Sequence, residues 1–586
     1  MGPIHGPPSK EFAMSRSLSS LLPSAPLLVF AALFGASLAS AQSCRLVADF
    51  SPGTGAGNPN RLHCFFGDRL FLSAAGGGVG QEPYVSKAGG KPVLLKDIRA
   101  GGVGSFPKDF VACGSLVFFS ADDGKVGREL WVTDGSPAGT RLVKDIRAKG
   151  RLGSDIRDIA CLGNKVVFRA DGGVAGPELW ISDGTTAGTR LLKDIRLGAR
   201  GSDPSWLRAL NGRVLFSADD GVAGRELWMT DGTTNGTQLL KDINTGVNAS
   251  SPNELFVHRG TLFFGARPGR TGTELFQSDG TRKGTVLVKD LNTSGSSLPR
   301  QFTSCGTKLF FIANNAALAG ELYVRDANGI RPVVNNVANR TFTAAGHLAC
   351  ANGVLFFSAN GRRSGVELWK TDGTKAGTVL VKDLIPGSTS SSPIELTGVG
   401  SRVYFQGNDG KVKGLWVSDG TTAGTRRICP KLTFPKNLAL CGCKLLFSAF
   451  SAATSHELWA IDAPGATVRR FGNPCSPQKP SMDATLPILG KTMRFSGDHG
   501  PRGNLGLLLL DLAPRSPTKL PGGCLGLVHP LLILGAVPPP KWVMQVPLPK
   551  DQSLNGLCLA AQTWWIQIGS VVPIQTSNGV LLGLGG

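Results

Sequence analysis

Tyrosine and methionine are scarce in this 586-residue chain, at 3 and 6 residues, and histidine contributes only 7. After residue 41 no continuous apolar run approaches the ~18 residues of a membrane helix, which excludes a multi-span membrane protein. Charged residues make up 18%, too few for a coiled coil or a solvated tail. Local signatures of chemistry are missing too. His63, His258, His347, His456, His499 and His529 sit in no HExxH or HxH context. There is no GxSxG, P-loop or dinucleotide fingerprint, and no EF-hand or calcium nonapeptide. No RNP, helix-turn-helix or zinc-finger pattern appears, so specific nucleic-acid binding is not expected. No metal or cofactor is expected, and no catalytic residue is assigned. What is abundant is Gly, at 79, with 37 Pro; this is below the level of collagen-like or disordered chains. Apolar residues reach 41%, enough for a sizeable core, and 62 Lys and Arg against 41 Asp and Glu give a net charge of +21.

The first 41 residues read as an address rather than as fold. Met14-Ser-Arg16 is a basic start, residues 27–34 (LLVFAALF) an apolar stretch too short to span a bilayer, and Ala39-Ser-Ala41 a cleavage signal. Residues 1–13 fit neither part and read as preceding the true start. Cleavage before Gln42 removes one net positive charge and leaves a secreted or cell-surface protein of +20 with no transmembrane segment.

Self-comparison reveals the organisation. ELWVTDGSPAGT at 129–140 recurs as ELWISDGTTAGT at 178–189, and again from Glu226 and Glu367. Weaker copies start at Glu82, Glu274, Glu321, Gly414 and Glu457, and a tenth, degenerate one at Asn504. Successive spacings lie between 43 and 49 residues, so one supersecondary unit is stacked many times. Each copy reads as four short strands, a to d. In the second copy they lie near 110–113, 116–120, 129–133 and 141–146. Asp122-Asp-Gly124 and Asp134-Gly135 mark the hairpins, because Asp-Gly tolerates the positive φ of tight turns. Runs such as LVFF are apolar on both faces, so each sheet is expected to be covered on both sides. Four antiparallel strands per 40–50 residues describe a propeller blade.

These copies resemble the ELWxxDGT tandem-repeat family of secreted bacterial proteins. The match is best over residues 80–425, with degenerate copies to about 512; Asp326-Ala and Asp462-Ala depart from Asp-Gly. The resemblance implies an extracellular β-propeller-type module and no defined activity. A tail containing LPKDQSLNGLCLAAQ and SNGVLLGLG is similar to a short C-terminal module of many secreted bacterial proteins.

The expected fold is therefore all-β: a leader over 1–41, a large propeller of about ten four-stranded blades over 42–515, and a small C-terminal β-sandwich over 516–586. Residues 44–50 (CRLVADF) resemble strand d (RLVKDI) with no a, b or c before them, and the tenth copy lacks a clear d. An N-terminal strand added to the blade of residues 505–510 would close the ring and remove its exposed edges. Two smaller propellers or an open superhelix remain alternatives.

The recurrent motif residues are Glu129, Trp131 and Asp134, Glu178, Trp180 and Asp183, Glu226, Trp228 and Asp231, and Glu367, Trp369 and Asp372. One glutamate per blade could bind cations, but accepting backbone N–H groups is the expectation; a catalytic site needs an asymmetric set at one place. The tryptophans are expected to pack between blades rather than serve as sugar platforms. The Asp-Gly turns explain themselves without a metal.

Of twelve cysteines, Cys64, Cys113, Cys161, Cys305, Cys350 and Cys441 fall 16–18 residues before the repeat glutamate. Equivalent positions in neighbouring blades are expected to lie beyond disulfide reach, leaving buried thiols. Export permits Cys524–Cys558, Cys44–Cys475 and Cys429–Cys443 to pair. Lys96, Lys144, Lys193, Lys241, Lys289 and Lys382 recur in strand d, where a solvated basic rim is expected. The leading expectation is a non-catalytic binding or scaffolding propeller outside the cell, with anionic polysaccharide or another surface protein as partner. The alternatives are a polysaccharide-active hydrolase or lyase, whose acid pair needs no local motif, and a structural surface-layer component.

Overall fold

A computed structural model describes residues 43–463, apart from 53–54, 88, 149–150 and 335–341, and beyond 463 a set of strand segments between 481 and 583. The described residues contain strands and turns and no helix. Nine sheets of four antiparallel strands follow one another. In the second, Lys108–Cys113, Leu116–Asp122, Arg128–Thr133 and Arg141–Lys144 pair in the order a-b-c-d. The a strands begin with Asn60–Phe65, Lys108–Cys113 and Arg157–Leu162 and end with Ile394–Val399 and Thr433–Cys441. Each contacts the next around the molecule, and Thr433–Cys441 contacts Asn60–Phe65. The fold is a nine-bladed β-propeller with its a strands innermost.

Burial follows from the runs that are apolar on both faces. Val117, Phe118 and Phe119 are all fully buried, because each strand b is covered by the blade before and the blade after. Between blades one and two, Phe71, Leu95 and Ile98 meet Val117, Phe119 and Trp131. Between blades six and seven, Phe310 and Val324 meet Phe342, Phe357 and Trp369. The core is thus a circle of inter-blade layers.

Nine blades replace the expected ten. Arg45–Ala48 does close the ring as an outer strand, but on Ser455–Asp462 of the ninth copy: Arg45 lies opposite Ala460 and Leu46 opposite Trp459. The ninth copy carries Asp462-Ala-Pro in place of the Asp-Gly-Thr turn that leads strand c into strand d elsewhere. Its open edge takes the N-terminal strand. Asn504–Asp511, the expected partner, instead pairs with Leu532–Val537 and Cys558–Gln567. The remaining packing of the C-terminal module lies outside the described residues.

The cysteine expectation is corrected most. Cys113–Cys161, Cys305–Cys350 and Cys64–Cys441 are disulfides with Cα separations of 5.2–5.3 Å, not free thiols. The innermost strands converge around the axis, and the paired cysteines are staggered. One partner lies 16 residues before its glutamate, and the other lies 17 before it, or 18 in blade one. Cys44 pairs with Cys429 rather than Cys475, so Cys429 is not bonded to Cys443, which is an exposed free thiol. Cys475 and Cys524 lie outside the described residues, and of the Cys558 side chain nothing is described.

Of the rim lysines Lys96 and Lys289 are exposed as expected, but the other four are not simply solvated. Lys144 Nζ donates to the carbonyl of Thr189 in the next blade, and Lys193, Lys241 and Lys382 do the same to Thr237, Thr285 and Thr425, at 2.6–3.0 Å. Aligning RRIC at 426–429 with RLVK, and CRLV at 44–47 with TRLV, puts Cys429 in the lysine position and Cys44 in the threonine position. The Cys44–Cys429 disulfide therefore replaces a lysine-to-carbonyl link at the seam where the ring closes.

Candidate functional site

The motif residues are taken up by the architecture. Glu178 is fully buried and accepts the N–H groups of Ile195, Arg196 and Ser202 at 3.1, 3.0 and 2.7 Å and the Ser202 hydroxyl at 2.6 Å. Glu226 and Glu367 hold the equivalent Ile243 and Ser250, and Leu384 and Ser391. Each glutamate thus ties strand c to the connection into the next blade. Glu457 does so across the seam, accepting Phe50 N–H at 3.0 Å and Gly57 N–H at 2.7 Å. Burial raises the pKa of all these glutamates. Glu129, whose Oε1 has no partner, is pushed up to about 7.

Trp131, Trp228 and Trp369 are buried between blades, and Trp180 is half-buried on the next interface. Asp134, Asp183, Asp231 and Asp372 cap their own turns: each Oδ1 accepts the N–H and hydroxyl of the Ser or Thr two residues on. Those hydroxyl bonds hold the carboxyls below their ordinary pKa. These sites sit one per blade and are not brought together.

What is brought together is a column that the repeat does not fix. The second residue of most inner strands, or a later one in the seventh and ninth blades, opens a β-bulge and takes a left-handed conformation, with φ between 50° and 59°. Around the axis these residues are Arg61, Asp109, Asp158, Trp206, Glu254, Gln301, His347, Glu395 and Asn437. None is glycine, although the conformation costs a non-glycine residue about 1–3 kcal/mol. The bulge re-aims each side chain, as bulges beside functional sites do. The backbone is the same nine times and carries seven side-chain types, with Asp and Glu each occurring twice. This collar sits at the end of the channel from which the d–a and b–c connections emerge, because it lies at the start of strand a.

Part of the collar is self-supporting. Asp158 Oδ1 accepts Trp206 N–H at 3.1 Å, Glu254 Oε2 accepts Gln301 N–H at 3.3 Å, Gln301 Oε1 accepts His347 N–H at 3.0 Å and Glu395 Oε2 accepts Asn437 N–H at 2.9 Å. Burial first, and the neighbouring Asp109 carboxylate in addition, raise the pKa of Asp158. Arg208 stacks over Trp206 at 6.0 Å. A cavity of about 490 Å³ opens beside Gln301, His347 and Glu395 on three successive blades. The nine bulge residues include four carboxylates and one guanidinium, with Arg128 beside Asp109 and Arg169 and Arg208 beside Asp158. Carboxylate and amide oxygens, a half-buried indole and an imidazole can hydrogen-bond and stack against a hydroxyl-rich ligand. The signal was available in the sequence as the residue 19–21 positions before each repeat glutamate, the column that varies between copies.

No family model matches this chain. No curated protein matches it either. Among solved structures, a prolyl endopeptidase aligns at a TM-score of 0.36 and 10% identity, over 67% of this chain and 54% of the other. An uncharacterized protein from Listeria monocytogenes aligns at 0.33 and 10%, over 66% and 100%. Aleuria aurantia lectin, in complex with α-methyl-L-fucoside, aligns at 0.23 and 9%, over 55% and 98%. The chain spans about half the length of the peptidase. At TM-scores this low the likenesses carry no argument about activity.

Proposed function

We propose that the protein is a secreted, non-catalytic binding propeller of the ELWxxDGT kind, and that its ligand is a neutral, hydroxyl-rich chain such as a glycan, engaged at the collar. The observation that carries this reading is the contrast at one position: a strained backbone repeated nine times, carrying seven different side-chain types. A purely structural left-handed position is most readily filled by Gly, Asn or Asp, and Arg61, Trp206, Glu254, Gln301 and Glu395 are none of these. An anionic polysaccharide is the weaker choice. Four of the six recurrent lysines that suggested it donate to carbonyls, and the collar carries four carboxylates. Export through the leader is supported by four disulfides, which persist in oxidising compartments.

The test is binding of the mature protein to neutral and acidic polysaccharides, with Trp206→Ala and His347→Ala variants alongside. Retention on a neutral glycan, lost in both variants, is expected; binding unchanged in both would reject the collar. A second reading, a polysaccharide-active enzyme, is favoured by one observation: His347 and Glu395 share a cavity. Steady release of oligosaccharide, abolished by Glu395→Gln, would establish it.

A further inference from the structure

The face that carries the collar is polarised in a way the repeat does not require. Strand order places the b–c hairpins and the d–a connections on this face, and they lie against each other. A Cβ on Gly224, in the fourth b–c hairpin, would meet Ala249 and the Val247 carbonyl of the next connection, and Gly176 meets Ala199 in the same way. On the tips of these loops in blades two to four stand Leu152, Val174, Leu197, Val222 and Val247, between 73% and 86% exposed. They are among the most exposed large apolar side chains of the described residues, and they follow one another along an arc. Elsewhere around the ring the b–c tips carry Arg270, Arg362, Arg363 and Lys411, all exposed, and Lys125 stands at the start of the arc.

The acidic residues of the b–c hairpins do not protrude. Asp122, Asp171 and Asp219 are paired with Arg99, Arg147 and Arg196. Asp123, Asp220 and Asp409 accept the N–H groups of their own turns. The b–c tips therefore offer aliphatic groups and positive charge, and the exposed Asp203 of a d–a connection is paired with Arg169 and Arg225. Single aliphatics on separate turns, projecting from one rigid face with basic neighbours, match an interface whose outer layer is anionic and whose inner layer is apolar. Both strand ends at which the chain enters and leaves the ring, at Arg45 and Asp462, lie on the opposite face.

We propose that this face docks on an anionic lipid surface, inserting Leu152, Val174, Leu197, Val222 and Val247 among the headgroups while the basic tips contact phosphate. The proposal uses none of the collar residues and does not depend on what the collar binds. The experiment is co-sedimentation of the mature full chain with vesicles of phosphatidylcholine alone and of phosphatidylcholine with phosphatidylglycerol, at low and high salt. A variant with all five aliphatics changed to Ser is compared with one carrying Arg270→Ser, Arg362→Ser and Arg363→Ser. All these side chains are exposed, and the Cys44–Cys429 and Cys64–Cys441 disulfides report that each variant is folded. Binding to the anionic vesicles is expected, reduced by about tenfold or more in the aliphatic variant. It should weaken with salt in the wild type and depend less on salt in the arginine variant. Absence of binding to anionic vesicles at low salt, or binding equal in wild type and aliphatic variant, would overturn it. So would self-association of the free protein that the aliphatic variant abolishes without vesicle binding, which would make the arc a protein interface.

Discussion

Glu129 and Glu178 occupy the same place in consecutive blades, yet replacing each by Gln should have very different effects. Both Glu178 oxygens are engaged, by three backbone N–H groups and one hydroxyl. A Gln there must turn its amide NH2 toward donors, leaving at least one or two buried N–H groups unpaired at about 1–3 kcal/mol each. About 3 kcal/mol is therefore expected for Glu178→Gln. Glu129 accepts Ile146 N–H at 3.3 Å and the Ser154 hydroxyl on Oε2 alone, and its Oε1 has no partner. The cause is the connection to the next blade: Ser154 lies 25 residues after Glu129, against 24 for Ser202 after Glu178. Gln can keep both bonds with its oxygen and place its NH2 on the empty side, so about 1 kcal/mol or less is expected. In a ring of this size the unfolding entropy is about 0.9 kcal/mol/K, so the two variants should differ in Tm by about 2–3 °C. Scanning calorimetry at pH 7 on both variants is the assay. Equal shifts, or a larger one for Glu129→Gln, would refute the reasoning.

Three further outcomes follow from the same contacts. Because burial raises the buried glutamates, they contribute stability below the ordinary carboxylate value that is lost as pH rises; for Glu129 the window runs from about 4.5 to 7 and amounts to at most about 3 kcal/mol. The turn aspartates, held low, act oppositely and lose their contribution in acid, so thermal stability should peak near pH 5 and fall toward pH 8, less steeply in Glu129→Gln. Non-reducing peptide mapping should find Cys113–Cys161, Cys305–Cys350, Cys64–Cys441 and Cys44–Cys429, with Cys443 alkylated. Cys64–Cys441 and Cys44–Cys429 close nearly the same loop, so losing either alone should cost about 4 kcal/mol and losing both more than twice that, as read from denaturation midpoints. Removing residues 44–58 takes away the closing strand and the Phe50 and Gly57 donors, and light scattering should show aggregation through the exposed edge of Ser455–Asp462.

The blades were legible because each signal in them is local. LVFF declares a doubly covered strand, and Asp-Gly marks a turn whose Asp caps it. The RLVADF segment was legible as a displaced strand d because Phe50 stands where Ile146 stands. The copy that receives it was not. The period continues numerically to Asn504, while the break in turn chemistry at Asp462-Ala-Pro decides where the ring ends. The disulfides were not legible because the sequence does not carry the radius at which a strand sits: strand a runs beside the axis, where neighbours converge to a 5.3 Å Cα separation. The collar was overlooked for a related reason. Attention went to residues that recur, and recurrence selects positions that hold blades together: Glu178 on Ser202, Lys193 on Thr237. A side chain with a task of its own appears in such an array as the column that fails to recur.

The most direct test of the account is a crystal structure of the mature protein soaked or grown with the neutral glycan that it retains best. Ligand density at the mouth of the channel, within hydrogen-bonding distance of several of Asp158, Trp206, Glu254, His347 and Glu395, is the predicted result. Density on the outer rim or at the disulfide end of the channel, with the collar empty, would contradict it.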